Sequence, residues 1–284
     1  MEQKDIVLDV KKLNTSFVSD GKTVRIVKDV SFQLKRGKTL AIVGESGCGK
    51  SVTVHSIVKL LPQNARFHAD HVLYRRLDEK TGKVSEFNIA EMNPKGKEMR
   101  ALRGADLGMV FQDPMSSLNP VYKVGDQVAE ALMEHNKGMK KEEALKRVLQ
   151  MFKNLGIPDP ESRLHDYPHQ FSGGMKQRVV IAIAMINNPE IIIADEPTTA
   201  LDVTIQAQIM ELMKDLQLNM GKSIILITHN MGLVAEQADE VCVMYMGRIV
   251  EFGSLEQIFE HPSHPYTQAL LRSVPVLGLA DDQK

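Results

Sequence analysis

At 284 residues and 43% hydrophobic content the chain can bury a sizeable core, as one large domain or two lobes, which excludes a disordered class. Lys+Arg at 35 against Asp+Glu at 36 leave a net charge of -1, so no overall basic field recommends nucleic acid as the main partner. Two cysteines, Cys48 and Cys242, lack paired spacing and fit structural positions in a reducing compartment better than a disulfide scaffold.

The opening "MEQKDIVLDVKKL" has charges where a signal peptide has its apolar core. No uninterrupted apolar run approaches the ~20 residues that a spanning helix needs, so any membrane role is expected to come through a partner. "TVRIVKDVSFQL" alternates apolar and polar residues as a half-buried strand does, and "RG" turns it into "TLAIV", a continuous apolar run of the buried parallel type. "GESGCGKS" follows, and "VTVHSIVKLL" continues at helical spacing until Pro62, which predicts strand, glycine loop and helix. From about Asn64 to Lys97 polar turns dominate, and the expectation is a surface excursion around one or two weak strands.

A helical lobe is expected in the middle of the chain, where Ala144, Leu145, Val148, Leu149, Phe152 and Leu155 recur at helical spacing before Gly156 and Pro158 end the element. "EIIIADEP" and "SIILIT" read as buried strands flanking a helix with the stripe Ile205, Ile209, Leu212, Met213 and Leu216. Strand and helix alternate, so the class is α/β with a mostly parallel sheet. "DEVCVMYMGRIVEFG" reads as a hairpin turning at Gly247, and Ser254 with Gln257 as a capping box for a closing helix.

"GESGCGKS", Gly44 to Ser51, fits the phosphate-loop pattern in its confirming context, after a buried strand and opening a helix. Its glycines let successive N–H groups face phosphate oxygens, Lys50 reaches the β- and γ-phosphates, and the Ser51 hydroxyl ligates Mg²⁺. The residues expected to hold the nucleotide are Gly44, Glu45, Ser46, Gly47, Cys48, Gly49, Lys50, Ser51 and Val52. "IIIADE" ends its strand on two carboxylates; at the carboxyl end of a parallel strand Asp195 is expected to hold Mg²⁺ and Glu196 to orient or deprotonate the attacking water. His229 follows the strand "IILIT" on the same edge and is expected against the γ-phosphate. "FSGGMKQR", Phe171 to Arg178, runs serine and glycines into a helix, which reads equally as an ordinary N-cap and as a second phosphate grip. With one phosphate loop already present, the second grip suits a nucleotide held between two chains.

"GESGCGKS", "FQDP", "FSGGMKQR", "IIIADEP", "TALD" and "ITHN" stand in the order shown by ABC transporter ATPase subunits, and the resemblance covers nearly the whole chain. "FQDPMSSLNP" and the tail "GRIVEFGSLEQIFEHPSHPYTQALLRSVP" further resemble the ATPases of oligopeptide and dipeptide importers, whose relatives include nickel and glutathione importers. The resemblance implies a P-loop NTPase of ABC type, with an antiparallel β subdomain and an α-helical subdomain. The implied divisions are a core of residues 1–111 and 189–253, a helical subdomain of 112–188 and a helical tail of 254–284. It implies that Gln112 contacts metal or water and couples nucleotide state to membrane subunits. It likewise implies that Phe17 stacks on adenine, that Asp202 communicates across a dimer, and that Ser172, Gly173 and Gly174 reach the γ-phosphate on the opposite subunit.

Phe171 and Met175 depart from the leucine and glutamine usual in the family's signature, which touches fine contacts and not phosphate binding. The tail "LGLADDQK" lacks the cysteines that many such ATPases carry, so no iron–sulfur cluster is expected, while a longer native tail stays open. The implied machine binds MgATP, closes against a second and distinct ABC ATPase, and hydrolyses the nucleotide. It works with two transmembrane permease subunits and an extracytoplasmic solute-binding protein, at the cytoplasmic face of the cell membrane, to import peptides. Three alternatives remain: the same machine carrying nickel or another small solute, a non-transport ABC ATPase acting on DNA or ribosomes, and a binding module without turnover. The second would call for a coiled-coil insertion, tandem cassettes or a basic surface, and the third for a lost Glu196 or Lys50.

Overall fold

A computed structural model describes residues 3–272 except 79 and 200. Two sheets form its frame. The first is antiparallel and is built on the long strand β1 (Ile6–Ser19), which pairs along one side with β2 (Lys22–Lys35). Along its other side β1 pairs through Asn14–Phe17 with β4 (Ala65–His68) and through Leu8–Lys11 with β5 (His71–Leu77), and β6 (Val84–Asn88) closes the edge.

The second sheet runs β11 (Arg248–Ser254), β10 (Glu240–Tyr245), β3 (Thr39–Val43), β9 (Ser223–Ile227), β8 (Ile191–Asp195), β7 (Leu107–Val110). All neighbours are parallel except the β10–β11 hairpin, which turns at Met246 and Gly247, the latter at φ 83°. β3, β8 and β9 are buried throughout, as their unbroken apolar runs require of strands covered on both faces.

Period-two alternation deals these strands between separate cores. Leu40, Ile42, Ile191, Ile193, Ile225 and Ile227 join Val7, Leu8, Val10 and Leu34 in the layer between the two sheets. Ile192, Ala194, Ile224 and Leu226 face the opposite way, into a core shared with the helices. Ala41 and Val43 enter a third cluster with Met231, Val234 and Ile258.

The helices are α1 (Lys50–Ile57) and α2 (Lys97–Ala105) among the strands, then α3 (Pro114–Ser117), α4 (Val124–His135), α5 (Lys141–Asn154), α6 (Pro160–Arg163) and α7 (Gly173–Met185) in succession. After β8 come α8 (Val203–Leu218) and α9 (Met231–Gln237), and after β11 come α10 (Leu255–Glu260) and α11 (Pro265–Arg272). α5 buries Ala144, Val148 and Phe152, the stripe read from the sequence, and leaves its helix through Gly156 at φ 64°. Ser254 and Gln257 form the capping box of α10.

Two local expectations are corrected. The stretch after Asn64 is three strands of the antiparallel sheet and not a surface excursion. Tyr74 on β5 is wholly buried, and its hydroxyl lies within hydrogen-bond reach of the Asp106 and Glu190 carboxylates, at 3.0 and 2.8 Å. The adjacent Arg75 and Arg76 disguise this strand, since each is paired, Arg75 with Glu86 and Arg76 with Asp106. α1 stops at Ile57, well before Pro62, and the chain turns away at Lys59, at φ 55°. The tail beyond Arg272, including "LGLADDQK", lies outside the described residues.

Candidate functional site

The carboxyl ends of β3, β9, β8 and β7 lie side by side on one edge of the parallel sheet, because these four strands are consecutive neighbours. This is where ligands collect on open α/β sheets. The loop after β3 is the glycine loop, Thr228 and His229 follow β9, Asp195 ends β8 with Glu196 next, and Phe111 and Gln112 follow β7.

Glycine is required at two points of that loop. Gly44 has φ 148°, and a Cβ there would fall 2.1 Å from the Met244 carbonyl oxygen; Gly49, at φ 108°, is the N-cap of α1 and presses against Ile26 and Met244. Lys50 is 4% exposed, and its Nζ donates to the carbonyl oxygens of Gly44 and Glu45 at 2.8 and 2.9 Å. The ammonium is thus held by its own loop, over the space the loop encloses.

Ser51 Oγ donates to Asp195 Oδ1 at 2.8 Å. Asp195 is buried, and that burial raises its pKa, against the opposing pull of the Ser51 hydrogen bond. His55, one turn along α1, places Nε2 3.8 Å from Asp195 Oδ2 and tilts its ring toward Phe111. Glu196 adopts a left-handed backbone, φ 47°, with its N–H bonded to Ile227 on the neighbouring strand, so the turn aims its carboxylate out of the sheet edge. Glu196 Oε2 accepts from Gln112 Nε2 and Thr199 Oγ1, both at 3.0 Å, and His229 Nδ1 stands 3.4 Å from Oε1.

These groups border a cleft of about 490 Å³ whose walls include Glu45, Ser46, Gly47, Ser51, Val52, Gln112, Glu196 and His229. Asp195 sits behind Ser51, and Cys48 turns inward, buried, with its thiol pKa raised by that burial. Phe17 is not among the wall residues; it lies half-buried on β1, opposite Val24 and Ala65, and the apolar wall is supplied by Ile26 on β2 and by Leu270 on α11.

Ser172, Gly173, Gly174 and Asp202 are brought to one another and not to this cleft. Ser172 caps α7, its Oγ accepting from Met175 N at 3.3 Å, and Asp202 caps α8, accepting from Ile205 N at 2.9 Å. The two helix starts abut, because a Cβ on Gly174 would fall 2.6 Å from Ile205 Cγ2.

Sequence reasoning missed His55, Thr199, Ile26, Tyr266 and Leu270. His55 was within reach, since it stands four residues after Ser51 on the same helix face. Thr199 opens "TALD", three residues after Glu196. Tyr266 and Leu270 carry no local signal, for they meet the loop only through the tertiary fold.

A family model described as "ABC transporter" matches residues 27–199, and one described as "Oligopeptide/dipeptide transporter, C-terminal region" matches 250–284. The chain is 54% identical over 274 residues to the dipeptide transport ATP-binding protein DppD of Bacillus subtilis, covering 96% of this chain and 78% of that one. It is 51% identical over 279 residues to the oligopeptide transport ATP-binding protein OppD of the same organism, covering 98% and 74%. With the glutathione import ATP-binding protein GsiA of Escherichia coli it shares 50% identity over 273 residues, which is 96% of this chain but 42% of the relative. Among solved structures, the dimeric post-hydrolysis state of the ATP-binding cassette MJ0796 bound to ADP and Pi superposes with a TM-score of 0.72 at 26% identity, over 87% of this chain and 98% of that chain.

Proposed function

The chain belongs to the ABC transporter ATP-binding family, and from that premise we propose that it is the ATP-hydrolysing subunit of a peptide importer, peripheral to the cytoplasmic face of a cell membrane. The observation that carries this reading is the convergence of Lys50, Ser51, Asp195, Glu196, Gln112 and His229 on one cleft at the sheet edge. Lys50 and the loop N–H groups bind the nucleotide's phosphates. The oxygens of Ser51, Asp195 and Gln112 suit Mg²⁺, a hard cation that prefers oxygen ligands, and a buried carboxylate beside a hydroxyl is a donor set of that kind. When bound, the cation neutralises phosphate charge. Glu196 orients or deprotonates the attacking water, and His229, hydrogen-bonded to it, faces the γ-phosphate.

Ser172, Gly173, Gly174 and Asp202 serve the nucleotide of a second ABC ATPase, a distinct homologue. Closure on two shared nucleotides and reopening after hydrolysis would convert differential affinity into motion. The divisions 1–111 with 189–253, 112–188 and 254–284 are the units we assign to core, helical subdomain and tail. Among the described residues no helix is long and apolar enough to cross a membrane; in this reading two permease subunits supply the pore. Met115, Val121 and Tyr122, exposed just beyond Gln112, offer those subunits an apolar seat that couples to the cleft. An extracytoplasmic binding protein completes the system.

Reconstitution with the paired ATPase and permeases in proteoliposomes tests the reading. Peptide uptake dependent on ATP, lost with Lys50→Ala, supports it; uptake of a metal ion or another solute instead would move the cargo, and ATP hydrolysis unaffected by Lys50→Ala would overturn the site.

A further inference from the structure

The fifth parallel strand, β10, also ends on the ligand edge, at Tyr245. The ring of Tyr266 on α11 lies against it, centroids 4.4 Å apart. The start of α11 is pinned from β11: the Glu251 carboxylate accepts from the N–H groups of Ser263 and His264 at 2.6 and 3.0 Å, and His264 Nδ1 accepts from Tyr266 N at 3.1 Å. So held, the Tyr266 hydroxyl oxygen accepts a hydrogen bond from the backbone N–H of Glu45, in the glycine loop, at 2.9 Å. Leu270, one turn further on the same face, borders the nucleotide cleft.

Glu45 is thereby gripped at both ends, its N–H by Tyr266 and its C=O by Lys50 Nζ. The two grips have different fates. On the ATPase reading Lys50 would turn to a phosphate when nucleotide enters and give up the Glu45 carbonyl, whereas Tyr266 holds a backbone N–H that Lys50 does not use and would keep it. From this geometry we infer that Tyr266 is a positioning residue for the phosphate loop, and that α11 is a wall of the nucleotide cleft. The inference rests on the ATPase reading and adds to it a task for the C-terminal region: it keeps the start of the loop in binding shape after the lysine has left it. Linkage makes the effect reciprocal, so bound nucleotide must steady α11 as much as α11 steadies the nucleotide.

Tyr266→Phe is the test, since it keeps the ring on Tyr245 and removes only the oxygen. In the full chain, MgATP affinity should fall roughly threefold to tenfold, the range of one lost hydrogen bond. At saturating MgATP the assembled transporter should keep its kcat within about twofold, so the loss appears in KM, a split that general loosening of the fold would not give. Amide exchange at Glu45 in the MgATP-bound chain should accelerate, and MgATP should slow exchange over Pro265–Arg272 in the wild type more than in Tyr266→Phe. Glu251→Ala, which unpins α11 without touching loop or ring, should reproduce the same pattern more weakly. Wild-type affinity and wild-type Glu45 exchange in both variants would overturn the inference. A wild-type chain that fails to bind MgATP would overturn the ATPase reading itself, and the two failures are told apart by that control.

Discussion

The chain holds two glycine-bearing elements at helix starts, and they are wired in opposite ways. The loop from Gly44 to Ser51 is tied down on several sides, Lys50 to the loop's own carbonyls, Ser51 to Asp195 at the end of β8 and Glu45 to Tyr266 on α11, while Glu196 across the cleft is bonded by Gln112 and Thr199 and faced by His229. The element from Phe171 to Arg178 opens on a helix cap, with Ser172 serving Met175 N and its neighbour Asp202 serving Ile205 N, and its other side-chain bonds, Lys176 to Met115 and Arg178 to Leu155 and Gln208, leave from further along α7. One region is a site whose polar groups already converge on a space. The other is a surface whose backbone donors at the start of α7 meet, among the described residues, no group that would make them a site. The difference teaches that anion-binding chemistry at a helix start is not sufficient; what makes a site is the company other strands bring to it.

The sharpest way to break the comparison is to disarm the crowded region without emptying it. Glu196→Gln keeps the size and most hydrogen bonds of the side chain but cannot act as a base. Turnover in the assembled transporter should fall by about 10²–10⁴, the ordinary contribution of a positioned general base, with MgATP binding retained. Single-turnover hydrolysis against nucleotide affinity separates the two, and near-normal turnover would remove Glu196 from the chemistry. Ser172→Arg attacks the sparse region. Binding of MgATP to the free chain should stay within about twofold, since the chain's own loop is untouched, while hydrolysis in the complex collapses at the site whose phosphate loop belongs to the partner. Site-resolved nucleotide crosslinking reads that pattern, and lost binding at this chain's own Lys50 with the fold intact would mean that the element acts in cis.

Much of the crowded region could be read from the sequence because each part is local. A buried apolar run followed by glycines and Lys-Ser, or by two carboxylates, signals a strand end and its chemistry within about ten residues. Fold class, the β10–β11 hairpin and the capping box at Ser254 were legible for the same reason. What escaped depends on distant partners. β5 hid because Arg75 and Arg76 are neutralised by Glu86 and Asp106, pairings that no local pattern announces. Tyr266 reaches Glu45 across 221 positions of sequence. Phe17 shows the converse case, an aromatic residue assigned by resemblance alone, which stands apart from the lining that Ile26 supplies.

A smaller effect probes how tightly the sparse region is built. Gly174→Ala would set a methyl group 2.6 Å from Ile205 Cγ2, where α7 meets α8. Overpacking of this kind costs about 1–3 kcal/mol, so the thermal midpoint should drop by several degrees. MgATP affinity of the free chain should not change, because neither residue borders the cleft. An unshifted midpoint would show that the two helices part freely, and that their abutment is not what fixes the surface offered to a partner.

The smallest expected effect separates capping from communication at Asp202. Its side chain accepts from Ile205 N at 2.9 Å, so part of its role is simply to start α8. Removing a cap costs about 1 kcal/mol, whereas asparagine caps as well as aspartate. Asp202→Ala should therefore lower the unfolding free energy of the chain by about that amount and Asp202→Asn by little, which denaturant titration resolves. Neither should alter MgATP binding by the free chain. In the assembled transporter the two should part company with their stabilities: if the carboxylate's charge acts across the interface, Asp202→Asn lowers turnover despite its intact cap, and Asp202→Ala lowers it no further. Turnover that instead follows stability, preserved in Asp202→Asn and reduced in Asp202→Ala, would leave Asp202 as the cap of α8 and place communication between the two ATPases elsewhere on this surface.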